Sequence, residues 1–159
     1  RTPTTAHTND VPRTDTSYDE GLTGPAVSYQ TYSPTTKSLS GAPFLHTTNL
    51  TSANATTIGK DFGTNGPDNA HPTNWGMTLT GKLRLPTVGA YTFRITSDHG
   101  VRMYIDDQLV LDDWTDGPNN GAVRTHPLAT YQNDEPNKPH RITIQYYHRS
   151  GSASFNKST

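Results

Sequence analysis

The side chains best suited to catalysis lie together in one segment, at Ser97, Asp98 and His99. Serine, histidine and aspartate are the nucleophile, base and orienting acid of many hydrolases, but they act only when their side chains converge. Immediate neighbours at a strand end point away from each other, so these three side chains do not converge. Paired carboxylates that face each other across a cleft, as glycosidases require, are not identifiable either. We therefore predict that the chain is not an enzyme.

A second group of polar residues has the composition of a metal-binding loop. It consists of Asp106, Asp107, Asp112, Asp113 and Asp116. A dedicated calcium loop needs a regular ligand spacing and a glycine at its sharp turn, and this group lacks both. Its aspartates are therefore predicted to lie in turns and on the solvated surface. The chain has no cysteine, which excludes disulfides and thiolate metal sites.

The composition limits the classes of partner. The chain has 159 residues, of which 30% are hydrophobic, and its net charge is -1 at pH 7. A nearly neutral chain has no long-range field that attracts a polyanion, so we expect no nucleic acid partner. It contains no run of about 18 apolar residues, so we expect no membrane insertion.

The organisation along the chain predicts one domain behind an arm. Residues 1–24 are rich in Thr and Pro and are predicted to be a flexible arm or linker, and residues 25–159 are predicted to form the domain. The chain begins at Arg1 and ends in mid-pattern at Thr159, which predicts a segment of a longer multidomain protein.

Alternating apolar and polar residues predict the strands that position these side chains. The clearest runs are 75–86, 91–96, 101–105 and 141–148. The first three follow one another closely and are predicted to form an antiparallel meander. Residues 106–108 are predicted to be a hairpin turn. Because no window shows a helical period, we predict an all-β fold, an antiparallel sandwich or barrel-like structure of about eight to ten short strands with long loops.

Several of these runs share a long and specific pattern with one known family. They are residues 80–86 (TGKLRLP), 97–107 (SDHGVRMYIDD), 109–114 (LVLDDW) and 140–147 (HRITIQYY). The pattern resembles the protective-antigen-fourteen domain, which is named for the N-terminal part of anthrax toxin protective antigen. That family is a non-catalytic β-sandwich module attached to glycosidases, toxins, adhesins and secreted repeat proteins, and several members bind carbohydrate. The resemblance implies an extracellular or cell-surface location, a glycan or polysaccharide partner, and neighbouring domains in the parent polypeptide.

The resemblance also implies a calcium site, from which this sequence departs. In lectin-like members, two adjacent aspartates joined by a cis peptide bond hold a calcium ion that ligates vicinal sugar hydroxyls. Here Asp98 stands at the first position and His99 at the second, so one carboxylate is lost, and imidazole is a poor calcium ligand. Residues 148–152, in the loop that supplies the other ligands, contain no carboxylate or amide side chain. Asp98 remains as a calcium ligand, and calcium-assisted and calcium-free binding both stay open.

Taken together, the residues and the resemblance predict a non-catalytic carbohydrate-binding or adhesion module. The candidate binding residues are Asp98, His99, Trp114, Arg149 and Ser150. Polar side chains would bond sugar hydroxyls, and the indole of Trp114 would offer a stacking platform for a pyranose ring. Alternatively, Asp98 accepts backbone N–H bonds in a turn, His99 is an exposed turn residue without a role, and Trp114 caps the core. In that case the chain is a structural spacer or a protein-interaction module in a surface protein or toxin, with no small ligand.

Overall fold

The computed structural model describes residues 22–48, 50, 58–118 and 121–158. These residues form eleven strands and no helix, which confirms the all-β prediction with one strand more than the expected range. In chain order the strands are β1 (Leu22–Ser33), β2 (Ser38–Thr47), β3 (Ile58–Gly63), β4 (Trp75–Arg84), β5 (Gly89–Ser97), β6 (Val101–Ile105), β7 (Gln108–Asp113), β8 (Arg124–Thr125), β9 (Ala129–Asn133), β10 (Pro139–His148) and β11 (Ala153–Ser158). A search of the described residues finds no helix with the length and apolarity to cross a membrane.

The strands form two antiparallel sheets that make a sandwich rather than a closed barrel. The six-stranded sheet has the order β2-β1-β4-β10-β6-β7. The smaller sheet has the order β3-β11-β5-β8, and β9 also pairs with β5. The strand β10 is therefore central in the larger sheet, between β4 and β6.

The predicted meander of three successive strands is wrong. The strands β4 and β6 lie in the larger sheet with β10 between them, whereas β5 belongs to the other sheet. Alternation identifies which face of a strand is buried, but it does not identify the partner strand. The chain crosses between the sheets before and after β5, so that each sheet covers the apolar face of the other.

The core lies between the two inner faces. One row of the larger sheet shows the packing, because Ile144 of β10 pairs with Leu79 of β4 on one side and with Met103 of β6 on the other. All three side chains are fully buried, and Phe93 and Phe155 of the smaller sheet belong to the same core cluster. Full burial of such a side chain contributes about 1.5–3 kcal/mol. The regular strands around this core fix the positions of the loops at both ends of the sandwich.

The predicted turn after β6 is confirmed. Asp106 and Asp107 have φ angles of 49° and 66°, the left-handed values of the tight turn that joins β6 to β7. The predicted arm falls outside the described residues up to residue 21. Its last three positions, 22–24, are part of β1, so that this strand begins before the predicted domain boundary.

Candidate functional site

One end of the sandwich brings together segments that are far apart in the sequence. Ser97 is the last residue of β5 and His148 the last residue of β10, and residues 98–100 connect β5 to β6 at the same end. The two strands lie in different sheets. This end therefore joins the loop that contains Asp98 to the loop that follows β10.

Asp98 is a buried carboxylate in which both oxygens are hydrogen-bonded. Its Oδ1 accepts from the Tyr146 hydroxyl at 2.5 Å and from the Ser154 backbone N–H at 3.1 Å. Its Oδ2 accepts from Nδ1 of His148 at 2.5 Å and from Nδ1 of His99 at 2.6 Å. Burial raises the pKa of this carboxyl, but the bonds from His148, His99, Tyr146 and Ser154 outweigh burial and hold the pKa well below its ordinary value. Asp98 is therefore ionised at neutral pH.

The two histidines on Asp98 are each bonded through one nitrogen. Neither the Nε2 of His99 nor that of His148 has a hydrogen-bond partner among the described residues, although both atoms are buried. An ionised carboxylate only accepts, so the Nδ1 atoms carry the protons they donate to Asp98. The cluster formed by Asp98, His99, His148 and Tyr146 is called the Asp98 cluster below.

The Asp98 cluster is covered by the loop after β7. A side chain on Gly117 would place its Cβ 1.6 Å from the Asp98 carbonyl oxygen, so this loop packs directly on the backbone of Asp98. A Cβ on Gly100 would lie 2.3 Å from the Tyr147 ring. Asp98 and His99 are both 0% exposed. The predicted contacts of these two side chains with sugar do not fit this conformation, and His99 is not an exposed turn residue.

The other three predicted residues lie on the accessible side of this loop. Arg149 forms an ion pair with Asp116, which also accepts from the Tyr147 hydroxyl at 2.7 Å. The Arg149 and Asp116 side chains are 38% and 45% exposed. Burial raises the pKa of Asp116, but the bonds from Tyr147 and Arg149 hold it below its ordinary value. We call Trp114, Asp116, Arg149 and the partly exposed Ser150 the Arg149 surface.

Trp114 is anchored on several sides and only partly exposed. Its Nε1 donates to the Lys37 carbonyl at 2.8 Å, and its ring meets Tyr147 edge to face at 4.7 Å between centroids. The Arg102 guanidinium lies over the indole at 4.7 Å. Tyr147 in turn stacks on Tyr32 at 4.0 Å. Trp114 thus covers buried tyrosines and also contributes to the surface.

Calcium does not fit the donor set of the Asp98 cluster. Calcium takes six to eight oxygen ligands. Three side chains bond to Asp98, and two of them are the imidazoles of His99 and His148, which are poor calcium ligands. The peptide bond between Asp98 and His99 is trans.

Ser97 takes part in a hydrogen-bonded chain that the sequence did not reveal. Its Oγ lies 2.6 Å from Nε2 of His126, and Nδ1 of His126 donates to Asp113 at 2.8 Å. This is the order of a hydrolase triad, with partners other than Asp98 and His99. Ser97 is 0% exposed, however, and its Oγ also lies 2.7 Å from the His99 carbonyl oxygen. This hydrogen-bonded series begins at a buried serine, so it is a structural network in this conformation.

Sequence reasoning missed Tyr146, Tyr147 and Asp116. Tyr146 was visible only as an apolar position on the buried face of β10, and its hydroxyl gave no separate signal. Asp116 was grouped with the surface aspartates, and its partner Arg149 is 33 residues away in the sequence. Such a contact depends on how the two sheets meet, which alternation along one strand does not specify.

The fold and this end of the molecule define an antiparallel β-sandwich module with a buried polar cluster beneath a surface loop. The sequence profile of the PA14 domain matches residues 24–157. The chain therefore belongs to the PA14 domain family, as the resemblance indicated. No curated protein sequence matches the chain.

Several solved structures share the fold. An anti-sigma factor domain-containing protein is 21% identical with a TM-score of 0.64, over 88% of this chain and 42% of its own. A β-glucosidase from Kluyveromyces marxianus is 16% identical with a TM-score of 0.61, over 85% of this chain and 17% of its own. The PA14 domain of an antifreeze protein is 15% identical with a TM-score of 0.53, over 91% and 85%. The chain spans less than half the length of the first two proteins, and at these identities the likeness shows the fold alone.

Proposed function

We propose that this PA14 domain is a non-catalytic carbohydrate-binding module of a larger secreted or cell-surface protein. The observation that carries the proposal is the Arg149 surface, where an exposed ion pair lies beside an anchored tryptophan. In this proposal glycan binds on that surface, outside the buried Asp98 cluster.

The chemistry of the Arg149 surface suits vicinal sugar hydroxyls. A hydroxyl both donates and accepts, so adjacent hydroxyls can donate to the Asp116 carboxylate and accept from the Arg149 guanidinium. Ser150 adds a further hydroxyl next to them in the chain. The exposed part of Trp114 supplies apolar contact for sugar C–H groups, and the Arg102 guanidinium, which lies over the indole, adds donors beside it.

The wider family supports a binding role. A PA14 domain alone is typically a non-catalytic binding module. The same fold occurs within a β-glucosidase from Kluyveromyces marxianus in complex with glucose and within an α-xylosidase from Xanthomonas citri, where the matched segments are 16% and 13% of those chains. Association with enzymes that act on glycosides favours a glycan as the ligand.

The proposal is tested by glycan-array binding followed by titration calorimetry on the best hit. Arg149→Ala should weaken binding at least 10-fold, because a hydrogen bond to a charged group contributes about 1.5–3 kcal/mol. The matched control is Arg141→Ala, which removes another exposed arginine–aspartate pair, with Asp107, at the opposite end of the sandwich. Both variants change the net charge equally, so only contact with sugar separates them. Equal binding by the two variants, or no glycan bound by the wild type, would contradict the proposal.

The second candidate is a structural spacer or a protein-interaction module. It is favoured by the burial of Asp98 and His99, which removes the residues that the family motif offers to a ligand. It predicts no hit on the glycan array, with or without calcium, and a higher Tm when a neighbouring domain is attached. The same array therefore distinguishes the two candidates.

A further inference from the structure

The Asp98 cluster places three metal-ligating side chains together inside the protein. One donor atom from each of Asp98, His99 and His148 lies within 4.8 Å of the other two. All three side chains are 0% exposed. Asp98 and His99 come from the loop between β5 and β6, and His148 is the last residue of β10.

The two histidines of this cluster differ from the other buried histidines of the described chain. His126 and His140 are 2% exposed, and both ring nitrogens of each have a hydrogen-bond partner. Within the same described ranges, His99 and His148 each keep a buried nitrogen with no partner. Because neither of these Nε2 atoms makes a bond that would be lost, each can carry the single ring proton, which leaves Nδ1 available as a ligand.

We propose that Asp98, His99 and His148 bind a divalent first-row transition metal ion, with Zn²⁺ as the ion to test. Two imidazole nitrogens and one carboxylate oxygen are the ligand set that such ions prefer. In the structure both Nδ1 atoms converge on a single oxygen, Asp98 Oδ2, as ligands converge on a shared cation. On binding, each neutral imidazole keeps one proton, which moves from Nδ1 to Nε2.

The site requires only small movements of its side chains. Zinc lies about 2.0–2.2 Å from nitrogen and oxygen ligands, so that tetrahedral neighbours are about 3.3 Å apart. The two nitrogen–oxygen separations of 2.5 and 2.6 Å would therefore lengthen by about 0.8 and 0.7 Å. The bonds from Tyr146 and Ser154 to the other carboxylate oxygen, Oδ1, hold Asp98 in place while this happens.

The Asp98 carboxylate favours a cation at this position. It is ionised and compensates part of the charge of the ion. A second carboxylate, Asp116, accepts from the hydroxyl of Tyr147, whose ring centroid is 5.9 Å from that of His99, but Asp116 is already paired with Arg149, so the compensation comes from Asp98. Compensation of this kind is what a buried charge requires.

The test is refolding of the chelator-treated protein with Zn²⁺, with Ca²⁺ and with neither, because the loop that contains Gly117 covers the site in the folded state. We expect one equivalent of Zn²⁺ to remain bound after desalting. At saturation about 100-fold above Kd, we expect a rise in Tm on the order of 5–10 °C. Co²⁺ in place of Zn²⁺ should give visible d–d absorption, and nitrogen-15 shifts of the histidine rings should show coordination through Nδ1.

The matched variants are His148→Asn and His140→Asn. Asparagine places an amide nitrogen near the position of Nδ1, so that the bond to Asp98 or Asp106 is kept while the imidazole is lost. His148→Asn should lower the Zn²⁺ affinity at least 100-fold, whereas His140→Asn should still bind one equivalent. No retained Zn²⁺ in the wild type, equal retention by both variants, or a Tm rise with Ca²⁺ in place of Zn²⁺ would overturn the proposal. The wild-type measurement stands even where a variant does not fold.

Discussion

The central strand β10 carries a histidine–aspartate pair near each end, and the two pairs differ in how completely they are satisfied. Near its start, His140 is bonded to Asp106 at 2.6 Å and to Asn133 at 3.0 Å, and the Asp106 side chain is 45% exposed. At its end, the His148 side chain has Asp98 as its one hydrogen-bond partner among the described residues, and Asp98 is buried and shared with His99.

This difference separates a structural pair from a candidate site. The His140 pair fastens the turn between β6 and β7 to β10, because Asp106 Oδ1 also accepts from the Arg141 backbone N–H at 2.9 Å. Its role is complete without a ligand. The Asp98 cluster instead gathers three metal-ligating side chains inside the protein, with both Nδ1 atoms on one carboxylate oxygen, and that convergence is the physical basis for proposing an ion there.

The largest effect that tests this comparison is the loss of one carboxylate or the other. Asp98→Ala leaves several buried donors without an acceptor, so we expect the free energy of unfolding to fall by about 3–5 kcal/mol. Asp106→Ala acts on a half-exposed group, and we expect a loss of about 1 kcal/mol. Urea unfolding in chelator measures both. Equal losses would mean that the two ends are equivalent.

A smaller effect tests the loop that covers the Asp98 cluster. Gly117→Ala forces a Cβ against the Asp98 carbonyl oxygen, and we expect it to cost about 3 kcal/mol through overpacking. The control is Gly41→Ala, where no atom lies within 4 Å but φ is +75°, so that only backbone strain of about 1 kcal/mol applies. Thermal unfolding should give a lower Tm for Gly117→Ala than for Gly41→Ala. The reverse order would show that the loop does not pack on Asp98.

The smallest effect concerns the pH dependence of a fully paired histidine. Burial lowers the pKa of His126 and the nearby Arg124 contributes, against the opposing effects of Asp113 and Asp98. As the pH is lowered, this histidine is therefore protonated in the unfolded chain before it is protonated in the folded chain. The free energy of unfolding falls as the pH drops below about 6.5 towards the pKa of the residue in the folded state.

The variant His126→Gln removes this titration and keeps a polar group near Ser97. The free energy of unfolding of the variant should fall less steeply than that of the wild type as the pH is lowered from 6.5. Parallel curves over that range would place the pH dependence on other groups.

Much of the fold was predictable because it depends on local patterns. Alternation along 75–86 and 141–148 identified β4 and β10, and the polar residues 106–108 identified the turn after β6. The pairing of strands was not predictable in this way. The chain changes sheets around β5, and that choice depends on how two apolar faces cover each other rather than on any one strand.

The candidate site was less predictable because its contacts are long in sequence. Asp98 and His99 were correctly placed in one loop, but their burial depends on a loop that comes some 18 residues later, at Gly117. Glycine at 100 and 117 was the visible signal, and it acquires meaning only once the opposing backbone is known. In the same way, the side chain of Ser97 is hydrogen-bonded to that of His126, 29 residues away, rather than to the side chains of its neighbours.

The close approach of Gly117 to the Asp98 carbonyl has a kinetic consequence. Because the two backbones touch without an intervening side chain, neither segment can move away from the core without separating from the other. Residues 98–100 and 114–118 should therefore open as one cooperative unit, with similar rates of amide hydrogen exchange. The opening rate of that unit sets how fast water, an ion or any other small solute reaches the interior at this end of the sandwich.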